Sequence, residues 1–392
     1  MLRVRDMTTR SSPRRLLRGI SGVAVLAASA VLLAACGDDS TREINPLDPQ
    51  GKVAKKQIGL LEFWMIPAAI IGVGVLGATV FVALRFRERP GNENPKQTHG
   101  NTTLEIGWTI VPALIMASMA VPTVALIWEL DEKPADPLEV TVYGKQWWWE
   151  YQYTNLGDLD PTIDYQVNTA NELHIPPDQA VYFTLKSNNV IHSFWVPSLA
   201  GKKDVVPGRE NHVWLIADKE ENKGRWYFGQ CVEYCGLSHA DMRLRVFVHE
   251  TEADFLDWAR RQHEPWSEAR LARADELGIT SKWGCTSCHY IGGLDETNDA
   301  AIASGTGANT RPGPNLTHLG ERKSFAGAKY DLDPEKLAEW IWHAPELKPA
   351  QCDKSVARSG SETCVGMPNF EKSNMTEDEA RAIAAFLLES EQ

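Results

Sequence analysis

Hydrophobic and polar positions are mixed along most of the chain, except in two long runs that are almost entirely apolar. They cover residues 63–84 and 106–128, and neither run contains a charged residue. At about 1.5 Å per helical residue, each run is long enough to cross the roughly 30 Å hydrocarbon core of a bilayer. The pattern predicts a two-helix transmembrane hairpin over residues 63–128.

Between residues 138 and 248 the pattern changes to short runs that are rich in β-branched and aromatic residues. Examples are LEVTVYGKQWWWEYQY, AVYFTLKS, HVWLIAD and RLRVFVHE. Turn-forming residues separate these runs, as expected for consecutive strands. We therefore expect a small antiparallel β-barrel or sandwich over residues 129–250.

Helical periodicity returns after residue 250. Thr251 is followed by Asp254 in the arrangement of a helix start, and Pro265 ends the segment, which predicts a helical linker over residues 251–266. Beyond the linker, SEARLARADELG and TEDEARAIAAFLLES are helical runs separated by loops rich in Gly and Pro. These runs predict an all-α domain over residues 267–392.

The chain begins with an arginine-rich stretch and then an uncharged run that ends in LAAC. This layout predicts a secretory signal peptide over residues 1–35, and its end resembles a bacterial lipobox with Cys36 as the lipidated residue. A transmembrane helix with an incidental cysteine is the alternative. If residues 36–62 are an exported tail, the two spans return residues 129–392 to the outer side of the membrane.

The charge balance excludes one broad class of function. The chain carries 40 basic and 52 acidic residues, a net charge of −12. This balance argues against a nucleic-acid binder and favours basic protein partners, with attraction that weakens as salt rises.

A dense cluster of soft metal ligands occupies residues 229–242, GQCVEYCGLSHADM. Cys231, Cys235, His239 and Met242 offer two thiolates, an imidazole and a thioether, a set that suits copper. His192 in NNVIHSFWVPSL supplies a second imidazole. A structural zinc site and a disulfide are the competing interpretations of the two cysteines.

A second chemical motif is the C-x-x-C-H of WGCTSCHY, formed by Cys285, Cys288 and His289. Two such thiols can form thioethers to a haem, and the adjacent histidine can become an axial iron ligand. A thioredoxin-like site and half of a zinc site are alternatives for the motif alone.

Over roughly residues 58–250 the chain resembles subunit II of cytochrome c oxidase. The resemblance rests on C-x-E-x-C-x3-H-x2-M, HSFWVPSL and DVVPGRENH, placed after a two-span hairpin. RPGPNLTHLG and GMPNF, together with the haem motif, resemble class I cytochrome c. The combination is similar to caa(3)-type haem–copper oxidases and implies a cupredoxin-like barrel with a binuclear copper centre, CuA, followed by a haem c domain.

The resemblance also implies individual ligand roles. Both cysteines, Cys231 and Cys235, would bridge two copper ions, and His192 and His239 would each complete one of them. The weak copper ligands would be Met242 and the backbone carbonyl of Glu233, and the Glu233 side chain matches a magnesium ligand shared with subunit I.

Further positions match the families one by one. Trp147 would lie where electrons enter the copper domain, with a packed aromatic core as the alternative, whereas Trp148 and Trp149 are expected in such a core. Glu105 would stand at the entrance of a proton pathway, or simply be a charge at a helix end. Met367 is the expected sixth iron ligand, with Met375 as second choice. Pro314 matches the residue whose carbonyl orients His289.

Cys352 and Cys364 remain after the other cysteines have roles. They lie in a loop insertion before the expected iron ligand, and in an oxidising compartment we expect them to form a disulfide. A second metal site is the alternative.

Together these features predict a subunit that accepts electrons for a respiratory terminal oxidase in the bacterial cytoplasmic membrane, with its globular domains outside. A cytochrome bc complex or a cytochrome c would donate electrons, which pass through haem c and CuA to subunit I, working with further oxidase subunits. Oxygen reduction to water and proton translocation would occur there. The alternatives are the CuA subunit of a nitric oxide reductase and a membrane-tethered carrier without a catalytic partner.

Both globular domains are acidic. Residues 267–392 carry 13 basic and 20 acidic residues, and residues 105–265 carry 13 and 24. Attraction between net charges therefore does not hold them together, and we expect their contact to depend on the linker and on apolar surface near Trp147.

Overall fold

The computed structural model describes residues 44–87, 97, 99–217, 219–294, 311–349, 351–353 and 363–389. The predicted signal peptide and Cys36 lie outside the described residues.

In the described part of the chain, two helices are long and apolar enough to cross a membrane. Helix α1 spans Lys52–Arg85 and α2 spans Thr102–Asp131. Both extend past the predicted spans, so part of the predicted exported tail is helical. An apolar run marks only the part of a helix that contacts lipid, whereas polar residues can continue the helix into water.

The first turn of α1 is attached to the domain that follows the hairpin. The Gly51 N–H donates to the Ser198 carbonyl at 2.9 Å. An added Cβ at Gly51 would lie 2.4 Å from the carbonyl oxygen of Leu199, so only glycine allows this approach. Lys52 also pairs with Asp178 at 2.7 Å. These contacts fix the globular domain at the end of the membrane helix.

Among the described residues, ten strands of the β domain (residues 138–248) form two five-stranded sheets. The strands are β1 Leu138–Lys145, β2 Trp148–Tyr153, β3 Val167–Ala170, β4 Glu172–Ile175, β5 Ala180–Ser187, β6 His192–Trp195, β7 Lys203–Val205, β8 Asn211–Ile216, β9 Trp226–Cys231 and β10 Arg243–Val248. Short helices α3 (Leu156–Leu159) and α4 (Lys219–Asn222) lie in connections. The strand orders are β3-β2-β1-β5-β8 and β4-β10-β9-β6-β7. The predicted sandwich is confirmed.

Two strand pairs in this sandwich are parallel. Leu138 of β1 lies opposite Val181 of β5, and Val246 of β10 lies opposite Leu173 of β4, with both strands of each pair running in the same direction. The expectation of a purely antiparallel arrangement is therefore wrong. Alternation along a strand reports which face is buried and carries no information on the direction of its neighbour.

The core of the β domain lies between the two sheets. Leu138, Val140 and Val142 of β1 are buried and alternate with half-buried residues, the pattern of a strand with one face inward. Strand β2 differs, because all six of its residues are buried. Trp149 and Tyr151 fill the core, and the C-terminal domain covers the opposite face of the strand.

The linker helix α5 spans Glu252–His263 and begins at the predicted cap, where the Thr251 hydroxyl accepts from the Asp254 N–H at 3.1 Å. Its Trp258 packs edge-on against the Tyr153 ring at 5.4 Å and stacks on the His174 ring at 4.2 Å. These aromatic contacts bind the linker to the β domain.

The C-terminal domain (residues 267–389) is mainly helical, as predicted. Its helices are α6 Glu268–Glu276, α7 Pro334–Leu347 and α8 Glu377–Leu388. Short ladders pair β11 Ser324–Phe325 with β12 Tyr330–Asp331, and β13 Gln351–Asp353 with β14 Thr363–Val365. The buried side chains of Leu337, Ile341, Ile383 and Phe386 join α7 and α8 in one core.

A buried histidine pair lies beneath the linker helix. Nδ1 of His174 is 2.9 Å from Nε2 of His249, a contact that requires at least one of the two rings to be neutral. Burial lowers the pKa of His174 well below its usual range and lowers the pKa of His249 to about 4. Opening of this region therefore takes up protons at acidic pH.

We expect the stability of the linker contact to be fully present above about pH 6.5 and to be lost as pH falls toward 4, because only the opened state protonates readily in this window. Hydrogen exchange of the α5 amides, corrected for the intrinsic effect of pH, measures this loss. His249→Gln should flatten the dependence, whereas the exposed His212→Gln control should keep it. Equal protection of α5 at pH 4.5 and 7 in the unmodified chain would contradict the prediction.

Candidate copper and haem sites

The predicted copper ligands come together where β9 ends. Cys231 is the last residue of β9, and its Sγ lies 3.8 Å from the Sγ of Cys235. Nδ1 of His192 is 3.9 Å from the first sulfur, and Nδ1 of His239 is 3.6 Å from the second. Each thiol therefore faces one imidazole.

Two further predicted ligands adjoin the thiol pair. Sδ of Met242 is 3.8 Å from the Sγ of Cys235, and the methionine side chain is fully buried. The carbonyl oxygen of Glu233 lies 3.2 Å from the Sγ of Cys231, and the Glu233 side chain is half-buried. All six residues that the sequence predicts for this site therefore lie around the two sulfurs.

Backbone pairing explains why these residues meet. Phe194 lies opposite Cys231 in the antiparallel pair of β6 and β9, which brings the histidine-bearing strand beside the cysteine-bearing one. The Cys231 N–H donates to the Met242 carbonyl at 2.9 Å and closes the loop between β9 and β10. An added Cβ at Gly229 would lie 2.4 Å from the Trp195 carbonyl oxygen, so the strands approach closely only with glycine there.

The His192 ring is held from its far side. Its Nε2 lies 3.2 Å from Oδ1 of Asn189, which leaves Nδ1 for the thiol pair. The Trp149 ring contacts the imidazole edge-on at a centroid distance of 5.9 Å. A Cβ at Gly144 would lie 2.8 Å from Cδ2 of the ring, so this glycine leaves room for it.

This donor set fits a soft metal. The ligand atoms of His192, Cys231 and Cys235 lie within 4.8 Å of one another. The sulfurs are too far apart for a disulfide, whose bond is about 2.05 Å, so both cysteines are free thiols. The hydrogen bond from the Cys235 thiol lowers the pKa of Cys231, although burial acts in the opposite direction. Thiolates beside imidazoles and a thioether suit copper.

The C-x-x-C-H motif forms a tight turn after Gly284, whose φ of 62° lies in the left-handed region. Nδ1 of His289 lies 2.9 Å from the Pro314 carbonyl oxygen, so this ring nitrogen carries the proton and Nε2 remains for a metal. Burial lowers the pKa of His289 and keeps the ring neutral. A Cβ at Gly313 would lie 2.8 Å from the ring.

A cavity of about 420 Å³ lies beside this turn. Its lining includes the three residues of the motif, Met367 and Trp283. The buried indole N–H of Trp283 has no hydrogen-bond partner among the described residues, as expected if a bound group supplies the acceptor. Met375, the second choice for the iron ligand, is instead buried in the helical core. The cavity therefore fits a haem with an axial histidine and methionine.

Two tryptophans of the β domain also line this cavity. The Trp147 indole donates to the Cys235 carbonyl at 3.0 Å, and the Trp148 indole donates to the Pro312 carbonyl at 3.0 Å. One short segment therefore contacts the thiol cluster and the cavity of the C-terminal domain. Trp148 is buried, as expected of a packed residue, but the C-terminal domain covers it, and only the folded chain reveals this.

Complementary charges pair across the domain contact. Glu172 and Arg245 are neighbours on β4 and β10. Arg245 pairs with Asp331 at 2.5 Å, and the buried Glu172 accepts from the Ser324 hydroxyl at 2.5 Å and from the Lys323 N–H at 3.0 Å. We expected the contact to depend on the linker and on apolar surface, and this expectation is incomplete. The net charge of each domain includes many residues far from the contact, so it does not report the charges that face each other there.

Glu105, another predicted site residue, lies apart from this region. It is exposed in the first turn of α2, within the membrane hairpin. Conversely, the domain contact includes Glu172 and Lys348, which sequence reasoning missed. Neither residue belongs to a motif, so no local pattern could have indicated it.

Comparison with known proteins supports each segment separately. Family models match residues 48–126 (cytochrome c oxidase subunit II, transmembrane domain), 138–248 (its periplasmic domain) and 279–391 (cytochrome c). Cytochrome c oxidase subunit 2 of Bacillus subtilis is 33% identical over 83% of this chain and 89% of that protein. The protein of that name from Alkalihalophilus pseudofirmus is 32% identical, over 78% of this chain and 83% of its own.

The chain belongs to the cytochrome c oxidase subunit 2 family. Among solved structures, the periplasmic domain of subunit II of cytochrome oxidase of Bradyrhizobium japonicum is 28% identical, with a TM-score of 0.29, over 33% of this chain and 95% of that chain. The chain is thus a subunit 2 with a C-terminal cytochrome c domain and part of an oxidoreductase complex. Its periplasmic-domain match implies CuA, and its cytochrome c match implies haem c.

In this subunit 2, β13 and β14 form a ladder with Cys352 directly opposite Cys364. Only the backbone of the two strands is described, so the disulfide stays a prediction. Residues directly opposite in an antiparallel pair bring their Cβ atoms about 4.5–5.5 Å apart, close to what a bridge needs.

We expect mass mapping of the freshly isolated protein to show Cys352 and Cys364 bridged. Reduction should loosen the loop before Met367. A bridge that closes a loop of this length lowers the entropy of the unfolded chain and so raises its free energy by about 3 kcal/mol. A Cys352→Ser and Cys364→Ser double variant should show faster hydrogen exchange in this loop, while exchange in α8 serves as the internal reference. Two free thiols in protein isolated without reductant would refute the bridge.

Proposed function

We propose that this subunit accepts electrons at its C-terminal domain and passes them through the β domain to subunit I of a respiratory terminal oxidase. Oxygen is reduced to water in subunit I, with translocation of protons. The observation that carries the proposal is the position of Trp147, which lines the cavity of the C-terminal domain and donates its indole N–H to the Cys235 carbonyl. This residue joins the two candidate redox sites.

In this proposal the β domain holds CuA. Cys231, Cys235, His192 and His239 would hold the copper, and Met242 would be a weak ligand. The Glu233 carbonyl, 3.2 Å from a thiol sulfur, is the other weak ligand. The buried setting keeps water away from the sulfurs. Metal binding also keeps two neighbouring thiols from forming a disulfide in an oxidising compartment.

The C-terminal domain holds haem c in the same proposal. Cys285 and Cys288 would attach it through thioethers, and His289 and Met367 would bind its iron. The Pro314 carbonyl fixes the ring orientation and raises the basicity of the ligating nitrogen, as such supporting hydrogen bonds do. When bound, haem c and CuA supply the redox chemistry, because each can take up and release one electron.

Several finer roles belong to the proposal as well. The Glu233 side chain is a magnesium ligand shared with subunit I, and Glu105 stands at the entrance of a proton pathway. Lipidated Cys36 anchors the chain at the outer side of the bacterial cytoplasmic membrane. Support for this location comes from the transmembrane and periplasmic family matches and from the bacterial relatives.

The external donor, a cytochrome bc complex or a cytochrome c, docks on the C-terminal domain in this proposal. Trp147 is only 4% exposed, because the C-terminal domain covers it. A donor therefore cannot reach the tryptophan directly while the two domains are in contact. Electrons reach the β domain through the cytochrome c domain of the same chain.

We expect transfer within the chain to change little with ionic strength, because its two partners are already in buried contact. Delivery from a basic external donor should slow as salt rises, since it depends on attraction to an acidic surface. Flash-induced oxidation of haem c in the purified complex, recorded with CuA absorbance at low and high salt, separates the two steps. If the internal step slows as steeply as the external one, or no electron reaches copper, the proposed relay fails.

Replacing Met242 with leucine should leave copper bound and shift the potential of the site. A weak axial ligand tunes the metal rather than holding it, and leucine nearly conserves the buried volume. Copper content, the electron paramagnetic resonance spectrum and a redox titration measure the effect. Met375→Leu, a buried methionine in the helical core, is the matched control. Complete loss of copper from a well-folded Met242→Leu variant would contradict the assignment.

A further inference from the structure

A buried lysine lies between the two candidate redox sites. Lys348 follows α7, where its backbone N–H donates to the Ala344 carbonyl at 2.9 Å, and its side chain is only 8% exposed. The neighbouring Pro349 carbonyl accepts from the Ser238 hydroxyl of the β domain at 2.7 Å. Lys348 is thus held on a helix end of one domain while its side chain reaches the other.

The ammonium group of Lys348 makes three hydrogen bonds to backbone carbonyls. It donates to Trp147 at 2.7 Å, to Ala326 at 2.7 Å and to Asp241 at 3.0 Å. A lysine ammonium has three N–H donors, so these carbonyls use its full capacity. Two of the acceptors belong to the β domain and one to the C-terminal domain.

The two acceptors in the β domain flank the candidate copper site. Trp147 donates its indole N–H to the Cys235 carbonyl, and Asp241 belongs to the short 3-10 turn that begins with His239 and precedes Met242. The backbone of Trp147 is therefore tied to the C-terminal domain, while its indole is tied to the thiol loop.

A glycine provides the space for this arrangement. A Cβ at Gly327 would lie 2.4 Å from Nζ of Lys348, 2.6 Å from the Trp147 carbonyl oxygen and 3.1 Å from that of Asp241. The Gly327 carbonyl also accepts from the Arg243 N–H at 2.9 Å. Backbone of both domains therefore packs directly around the lysine head group.

We propose that Lys348 is a positioning residue for electron transfer between the two domains: it fixes Trp147 at the distance and orientation that couple the haem cavity to the thiol loop. This inference rests on the proposed function. Electron tunnelling falls exponentially with the distance between centres, so a small displacement of the connecting residue changes the rate strongly.

Lys348→Met removes the three donors while keeping a similar length of side chain. In the purified oxidase complex we expect the transfer from haem c to CuA to slow by about tenfold or more, as for other small misplacements of reacting groups. Delivery from the external donor to haem c should stay unchanged, and both cofactor spectra should be retained. Lys348→Arg, which keeps charged donors, should recover part of the rate.

Lys323→Met is the matched control. Its side chain is exposed, and its backbone N–H donates to Glu172 of the β domain at 3.0 Å. We expect this variant to match the unmodified complex in both steps. Slowing of the internal step by the control to the same extent would overturn the role of Lys348.

Acetylation of lysines in the unmodified complex, mapped by mass spectrometry, tests the geometry without a variant. Lys348 should resist the reagent, whereas Lys323 should react. Equal reactivity of the two lysines overturns the inference, and this result does not depend on whether the Lys348→Met variant binds its cofactors. An unchanged rate of transfer from haem c to CuA in Lys348→Met also overturns it. If the unmodified complex passes no electron from haem c to copper while Lys348 remains protected, the proposed function fails and the contact stands.

Discussion

The backbone carbonyl of Cys235 is the point on which the arrangement of the two domains depends. It accepts from the Gln146 side chain at 2.7 Å and from the Trp147 indole at 3.0 Å. These bonds join the thiol loop to the segment that precedes β2, and the same segment lines the cavity of the C-terminal domain. Because a buried carbonyl needs partners, the fold that orients the thiols also orients the tryptophan that faces the cavity.

Buried charged groups give the domain contact its specificity. Glu172 and Lys348 are nearly inaccessible, and each has hydrogen-bond partners in the other domain, whereas the buried Arg322 donates to the Asn315 carbonyl of its own domain at 2.7 Å. Burial lowers the pKa of Lys348 to about 7 and that of Arg322 to about 10, a sign of how unfavourable each charge is there. A shifted or rotated contact would separate Glu172 and Lys348 from their partners in the other domain, which costs more than an apolar mismatch. The polar and charged groups at the contact therefore select one orientation of the two domains.

Much of the candidate chemistry could be predicted because each ligand set lies in a short motif. Cys231, Cys235, His239 and Met242 fall within one loop, and Cys285, Cys288 and His289 within one turn, so their spacing already restricts what they can bind. His192 required a second motif 39 residues away. The parallel strand pairs and the burial of Trp148 against the C-terminal domain could not be predicted. The alternation of residues along one strand reports neither the direction of its neighbour nor the presence of a second domain on its outer face.

By itself, the sequence determined the membrane hairpin, the β and helical domains and the residue types for two redox centres, because hydrophobic period and ligand spacing are local properties. Only the tertiary structure decided how the two domains meet. Lys348 and Glu172 carry no motif, and both domains are acidic, so neither local pattern nor net charge specifies their contact. Their partners lie up to 201 residues away along the chain, and complementarity at such a separation exists only once the backbone has folded.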